Sequence, residues 1–187
     1  RIEQVVWLVI ALALYRHQSM PEVLATLDLA LPNGAQSVVS KSAVTQARQR
    51  LGVAPLAWLF GRTAQSWCRQ DAARHAWKGL SLWAMDGTTL RTPDSPENRA
   101  HFGAQAYASG KIASYPQVRV VSLTAIPTHL VGDMVFGAYG QNEMLYAKTL
   151  LEDIPDNSLT VFDRGFLSAE ILLGLSLKGM QRHYLIP

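Results

Sequence analysis

Cysteine is nearly absent: Cys68 is the single one among 187 residues. One thiol excludes an internal disulfide framework and a multi-cysteine zinc site, and it points to a reducing compartment. Long apolar runs are missing too. The longest, Val5 to Tyr15, has eleven residues, whereas a membrane-spanning helix takes about 20, so this run fits a buried core helix. Glu3 spoils the basic start that a signal peptide needs. Charged residues make up only 17% and apolar residues 49%, a balance that excludes a disordered chain, collagen or a coiled coil. No internal repeat or low-complexity stretch is visible. His17, His75, His101, His129 and His183 are scattered without ligand spacing, so none is read as a metal ligand. These absences predict a cytoplasmic protein with no membrane partner. The chain opens on Arg1 and stops at Pro187 after an apolar stretch, and it reads as a fragment.

The charge that is present is unevenly placed. Residues 1–78 carry nine Lys/Arg against four Asp/Glu; residues 79–187 carry eight against ten. A basic half suits an acidic partner, and nucleic acid is the commonest one. The alternative is that these charges are the solvated faces of ordinary helices.

Periodicity also changes near residue 78. The first part reads as helices. Ile2 to Tyr15 is apolar nearly all round, which predicts a central helix. Ser19-Met20-Pro21-Glu22 is a capping box that starts a helix to about Leu31, ended by Pro32-Asn33-Gly34. Ser40 and Ser42 offer caps for a helix over 43–51, with Gly52 at its C-terminus. Pro55 opens a last helix to about Ala76. Trp58, Trp67 and Trp77 are expected in core or interdomain packing, and Cys68 as a buried thiol. The second part alternates strands and helices: strands at 80–85, 117–126, 129–138, 159–162 and 183–186, helices at 143–151 and 168–177, and a loop over 92–114. That order predicts a mixed α/β sheet behind an all-α domain, with domains at 1–78 and 79–187.

Two aspartates follow apolar strands: Asp86 in Met85-Asp86-Gly87-Thr88-Thr89, and Asp163 in Phe162-Asp163-Arg164-Gly165. Ligands gather at strand ends in α/β sheets. A carboxylate beside a low-dielectric core needs a metal, an arginine or backbone donors. Two such groups on adjacent strands would attract a hard cation such as Mg²⁺. The plainer alternative is that each aspartate caps a turn. Asp86-Gly87-Thr88 also resembles the phosphatase motif of haloacid dehalogenase-like enzymes, but their nucleophilic aspartate falls at Ala84 here.

The motifs together resemble a bacterial DDE transposase of the insertion-sequence-four type, over nearly the whole chain. They are Ser42 to Gly52; Met85-Asp86-Gly87-Thr88-Thr89-Leu90; Asp94-Ser95-Pro96-Glu97-Asn98 followed by His101-Phe102-Gly103; Tyr115-Pro116-Gln117-Val118-Arg119; and Phe162-Asp163-Arg164-Gly165-Phe166. The resemblance implies a truncated ribonuclease H-like catalytic domain behind a DNA-binding domain. It implies catalytic, metal-binding roles for Asp86 and Asp163, with two Mg²⁺ ions (Mn²⁺ substituting) and Asp86 bridging both. It implies cutting and joining of double-stranded DNA at insertion-element ends, in a homodimer associated with the nucleoid. The family's third carboxylate, a glutamate in a Tyr/Arg/Glu/Lys signature after the fifth strand, has no match here. Glu170 is not a candidate, because it falls on the helix before that strand. Where the family tends to have arginine after the fifth strand, this chain has Pro187.

In the basic part, Lys41, Gln46, Arg48, Gln49 and Arg50 are candidate DNA contacts, on a helix whose Val44, Ala47 and Leu51 face inward. Arg164 has two candidate roles, neutralising phosphate or pairing with a carboxylate. The rival reading of the whole is a catalytically inactive DNA-binding remnant or regulator.

Overall fold

The structure, a computed structural model, describes residues 2–27, 40–72, 74–107 and 110–187. The chain divides into two compact units, Arg1–Phe60 and Gly61–Pro187. The first holds α1 (Ile2–Leu14), α2 (Met20–Thr26) and α3 (Lys41–Leu51); α4 (Ala54–Ala72) runs across the division. The caps explain where these helices start. The Ser19 backbone N–H donates to Glu22 Oε2 at 2.6 Å. Hydrogen bonds from Ser19 hold the Glu22 carboxyl below its ordinary pKa. Ser40 Oγ accepts from the Ala43 N–H at 3.2 Å, and Gly52, at φ +67°, ends α3. The proposed end of the second helix at Pro32-Asn33-Gly34 lies outside the described residues.

α1 packs against both α2 and α3. Leu8, Ala11, Val23 and Val44 form the buried interior of this unit. α1 is less buried than an all-round apolar helix predicts: Ile2, Trp7 and Leu14 are exposed. Among the described residues, α2 and α3 are two short neighbours that cover one stripe of α1. The tryptophans depart from expectation in the same way. Trp58, Trp67 and Trp77 are exposed, while Trp83 is buried. The buried residues of α4 are Ala64 and Cys68, one turn apart on a single stripe, and Trp58 and Trp67 fall off it.

The second unit is a five-stranded sheet of β1 (Ser81–Arg91), β2 (Gln117–Ala125), β3 (Leu130–Ala138), β4 (Ser158–Phe162) and β5 (Arg182–Leu185), in the order β3-β2-β1-β4-β5. β1 pairs antiparallel with β2 and parallel with β4; β2–β3 is antiparallel and β4–β5 parallel. The parallel steps need crossovers, which α6 (Glu143–Leu150) and α7 (Ala169–Leu177) provide around β4. One face of the sheet carries the core. Trp83, Met85, Val121, Leu123 and Phe162 pack there with Leu150, Ile171 and Leu175 of the helices and with Cys68.

Two elements differ from the sequence expectation. β1 does not stop at Met85 but continues to Arg91, because β2 pairs with it along that whole length. The stretch 92–114, expected as loop, contains α5 (Pro96–Phe102). Its start was legible: Ser95 Oγ accepts from the Asn98 N–H at 3.2 Å and Pro96 opens the first turn. Asn98 Nδ2 donates to Pro93 O at 2.9 Å, and Arg99 pairs with Asp94 at 2.5 Å. The Asp94–Asn98 motif thus builds a helix cap. α5 is tied to the sheet by Gln117 N to Gly103 O at 3.0 Å and Tyr139 N to Phe102 O at 2.8 Å.

The β2–β3 register shifts at Leu123/Thr124, with Gly132 as the extra residue of the bulge. Trp83 lies over it, and a β-carbon at Gly132 would sit 2.6 Å from the indole ring. Gly132→Ala is expected to destabilise the protein by about 1–3 kcal/mol through overpacking, read as a lower denaturant midpoint.

At the other edge, Asp156 Oδ1 accepts from the Met180 N–H at 2.9 Å and from Arg182 Nε at 3.0 Å. The Met180 N–H, and then Arg182, hold its pKa below the ordinary value. A depressed carboxylate stabilises above its unfolded pKa of about 3.9 and loses that contribution as pH falls through the folded value. Urea midpoints of the native chain and Asp156→Asn should therefore differ at pH near 6 and converge on acidification.

Candidate active site

Asp86 lies inside β1, opposite Ser122 of β2. The β1–β4 ladder ends at Met85 opposite Phe162. Asp86 and Asp163 are therefore the next residues on two neighbouring parallel strands, whose backbones run about 4.8 Å apart. The hydrophobic residues fix this register. Met85 and Phe162 are 1% exposed, and Thr160, opposite Trp83, is fully buried. A slip by one residue would turn them out of the core. Met85 faces the core and Asp86 the opposite side of the sheet, where it is exposed.

Each carboxylate is oriented by backbone. Asp86 Oδ1 accepts from the Gly87 N–H at 2.7 Å, and Asp163 Oδ1 accepts from the Gly165 N–H at 2.7 Å. The second contact caps the 3-10 turn Arg164–Phe166. The turn-cap reading is thus geometrically real for Asp163, but it uses one oxygen only. Neither Oδ2 makes a hydrogen bond among the described residues, so one oxygen of each aspartate is left to meet a cation. Exposed carboxylates at the ends of neighbouring parallel strands fit a hard, oxygen-seeking divalent ion. Among the described residues, no group of three or more His, Cys, Asp or Glu is placed to hold a metal.

Arg164 follows Asp163; no carboxylate pairs with it among the described residues, and its Nε donates to Pro187 O at 2.8 Å. In α3, Val44 is buried and Ala47 and Leu51 are half-buried, while Lys41, Gln46, Arg48, Gln49 and Arg50 are exposed. That helix therefore presents a polar, basic face with its apolar stripe turned inward.

Residues 2–61 match the family described as "Insertion element 4 transposase N-terminal", and residues 77–187 match "Transposase DDE domain". The chain belongs to the DDE transposase family. Its sheet is accordingly ribonuclease H-like, with Asp86 on the first strand and Asp163 directly after the fourth. Two Escherichia coli K12 relatives align along it. "Putative transposase InsZ" is 38% identical over 186 residues, covering 99% of this chain and 60% of that protein. "Transposase InsG for insertion sequence element IS4" is 41% identical over 186 residues, covering 100% of this chain and 41% of that protein. The chain therefore spans about half the length of these transposases. Among the described residues, no helix is long and apolar enough to cross a membrane.

Sequence reading missed Glu143, which packs behind this site on the α6 face of the sheet. It begins α6 and lies against β1 directly after Asp86: a β-carbon at Gly87 would overlap its Oε1. The Asp-Gly step thus has a packing reason beyond turn formation. The available signal was Asn142, whose Oδ1 caps α6 by accepting from the Met144 N–H at 2.9 Å.

Proposed function

We propose that this chain is the DNA-binding and partial catalytic portion of a transposase that binds insertion-element ends and cuts and joins double-stranded DNA. Residues 1–78 act as the DNA-binding domain and 79–187 as the catalytic domain, lacking its third carboxylate. The observation that carries this reading is the placement of Asp86 and Asp163 one step beyond the β1–β4 ladder, in a chain of the DDE family.

Asp86 and Asp163 would hold divalent ions, two Mg²⁺ with Mn²⁺ as substitute. Bound there, such ions supply Lewis-acid stabilisation of the attacking and leaving oxygens of an in-line displacement at phosphorus. The rest belongs to the chain. The Gly87 and Gly165 amides fix one oxygen of each carboxylate and so aim the other. Thr88, exposed and on the same face of β1 as Asp86, offers a hydroxyl to a phosphate beside it. Arg164, held by a single bond to a backbone carbonyl, keeps further N–H groups for a phosphate oxygen. Lys41, Arg48 and Arg50 contact phosphates from α3, and Gln46 and Gln49 reach phosphates or base edges. The intact transposase works as a dimer in the cytoplasm, on the nucleoid. A second reading is a catalytically inactive DNA-binding remnant or regulator; among the described residues no group of three or more His, Cys, Asp or Glu is placed to hold a metal.

The test is metal-dependent cleavage of element-end DNA by the intact transposase. Asp86→Ala and Asp163→Ala should each lower cutting by at least about a hundredfold and leave gel-shift binding in place. Arg48→Ala and Arg50→Ala should each flatten the salt dependence of binding by about 0.9 in log–log slope. Cutting that survives either aspartate substitution leaves Asp163 as a turn cap and Asp86 as a strand residue, neither with a catalytic role.

A further inference from the structure

Arg119, in the Tyr115–Arg119 motif, has no part in the reading above. It sits on β2 opposite Thr89 of β1 and Gly137 of β3, on the α6 face of the sheet. There a cleft of about 310 Å³ is lined by Thr88, Thr89, Gln105, Arg119, Tyr139 and Glu143, with Gly87 in its wall.

The polar groups of this cleft are poorly satisfied. Arg119 Nη1 lies 3.5 Å from Glu143 Oε2, an ion pair too long for a hydrogen bond. Its guanidinium carbon lies 5.0 Å from the centre of the Tyr139 ring. Its Nε is buried without a hydrogen-bond partner, as is Oε1 of Gln117, two residues back on the same face of β2. The guanidinium makes no hydrogen bond among the described residues, and neither do the side chains of Thr88, Thr89 and Gln105. Buried polar groups are nearly always paired in folded proteins. A guanidinium whose buried Nε is unpaired, at the wall of an open cleft, points to an acceptor supplied from outside.

We propose that this cleft is a phosphodiester subsite for a DNA strand, in which Arg119 binds the phosphate and Glu143 occupies the guanidinium when DNA is absent. This rests on the reading of the chain as DNA-acting. The donors on this face (the Arg119 guanidinium, the Thr89 hydroxyl and the Gln105 amide) suit a phosphate, whose oxygens accept several hydrogen bonds. Glu143 can yield. Its side chain is 35% exposed, and its place at the start of α6 keeps the carboxylate favourable beside the helix N-terminus when it swings toward water. Cleft and Asp86 lie on opposite faces of β1. Beyond Met85 that strand has no ladder partner on its β4 side, so a flexible strand reaches both around the free edge.

The experiment is fluorescence-anisotropy titration of a labelled single-stranded thymidine oligonucleotide against the 187-residue chain and its variants, in EDTA. Without divalent metal the readout does not depend on Asp86 or Asp163 as ligands, so it can fail or succeed separately from the cleavage reading. Arg119→Ala should weaken binding about tenfold and lower the salt slope by about 0.7. Arg119→Lys should retain the slope. Glu143→Gln, by removing a competing carboxylate, should tighten binding about threefold. A merely structural pair predicts that Arg119→Ala and Glu143→Gln both weaken binding with an unchanged slope, and that result would overturn the proposal. So would unaltered binding by Arg119→Ala, whose fold is checked by its circular dichroism. Loss by both variants that differs between thymidine and cytidine oligonucleotides also overturns it, in favour of a base-reading pocket.

Discussion

The parallel ladder between β1 and β4 is the contact on which the site depends. It spans five residue pairs, from Ser81 opposite Ser158 to Met85 opposite Phe162. Its inward side chains, Trp83, Met85, Thr160 and Phe162, are all nearly inaccessible. Hydrophobic burial therefore sets the register, and the register sets where Asp86 and Asp163 stand. Neither aspartate touches the core that places it. The carboxylates remain exposed and oriented by their own backbone, so their charge is held beside a low-dielectric interior without being buried in it.

Much of this was legible in the chain itself. The caps at Ser19 and Ser40 announced α2 and α3, and alternation over 117–126 announced β2. The apolar blocks before Asp86 and Asp163 announced two buried strands, and the helix between β3 and β4 made their parallel pairing reachable. The length of β1 was not legible. Asp86-Gly87-Thr88-Thr89 reads locally as a turn, and only a ladder to residues about thirty positions later keeps it extended. α5 was missed because seven polar-rich residues show no periodicity, although Ser95-Pro96-Glu97 repeats the cap logic used at Ser19. Trp58 and Trp67 were misjudged from residue type alone; the helical spacing of Ala64 and Cys68 was the better guide.

The cleft around Arg119 was beyond local reading for a different reason. Its lining comes from β1, β2, the end of β3, the start of α6 and the segment after α5. No short motif contains it. Two quoted motifs divide differently once structure is added: Asp94–Asn98 caps a helix, whereas Tyr115–Arg119 delivers an arginine with unsatisfied donors. Sequence resemblance treats both as signatures of one family; hydrogen-bond accounting separates architecture from binding capacity.

The unequal lengths of β1 and β4 have a consequence for cooperativity. The sheet is five strands wide at Trp83 but three wide at Thr89, where β4 and β5 have already ended. β5 is a four-residue edge strand with mostly exposed side chains, and such edges open at low free-energy cost. Fraying of β5 breaks its pairs with β4 and releases the contact from Arg164 to Pro187. It leaves the Met85–Phe162 pair intact. The two aspartates thus follow the Met85–Phe162 pair, while the side chain of the arginine beside them is tied to the segment after the edge strand. The site thus sets an anionic pair anchored by the central ladder beside a cation anchored by the sheet's margin.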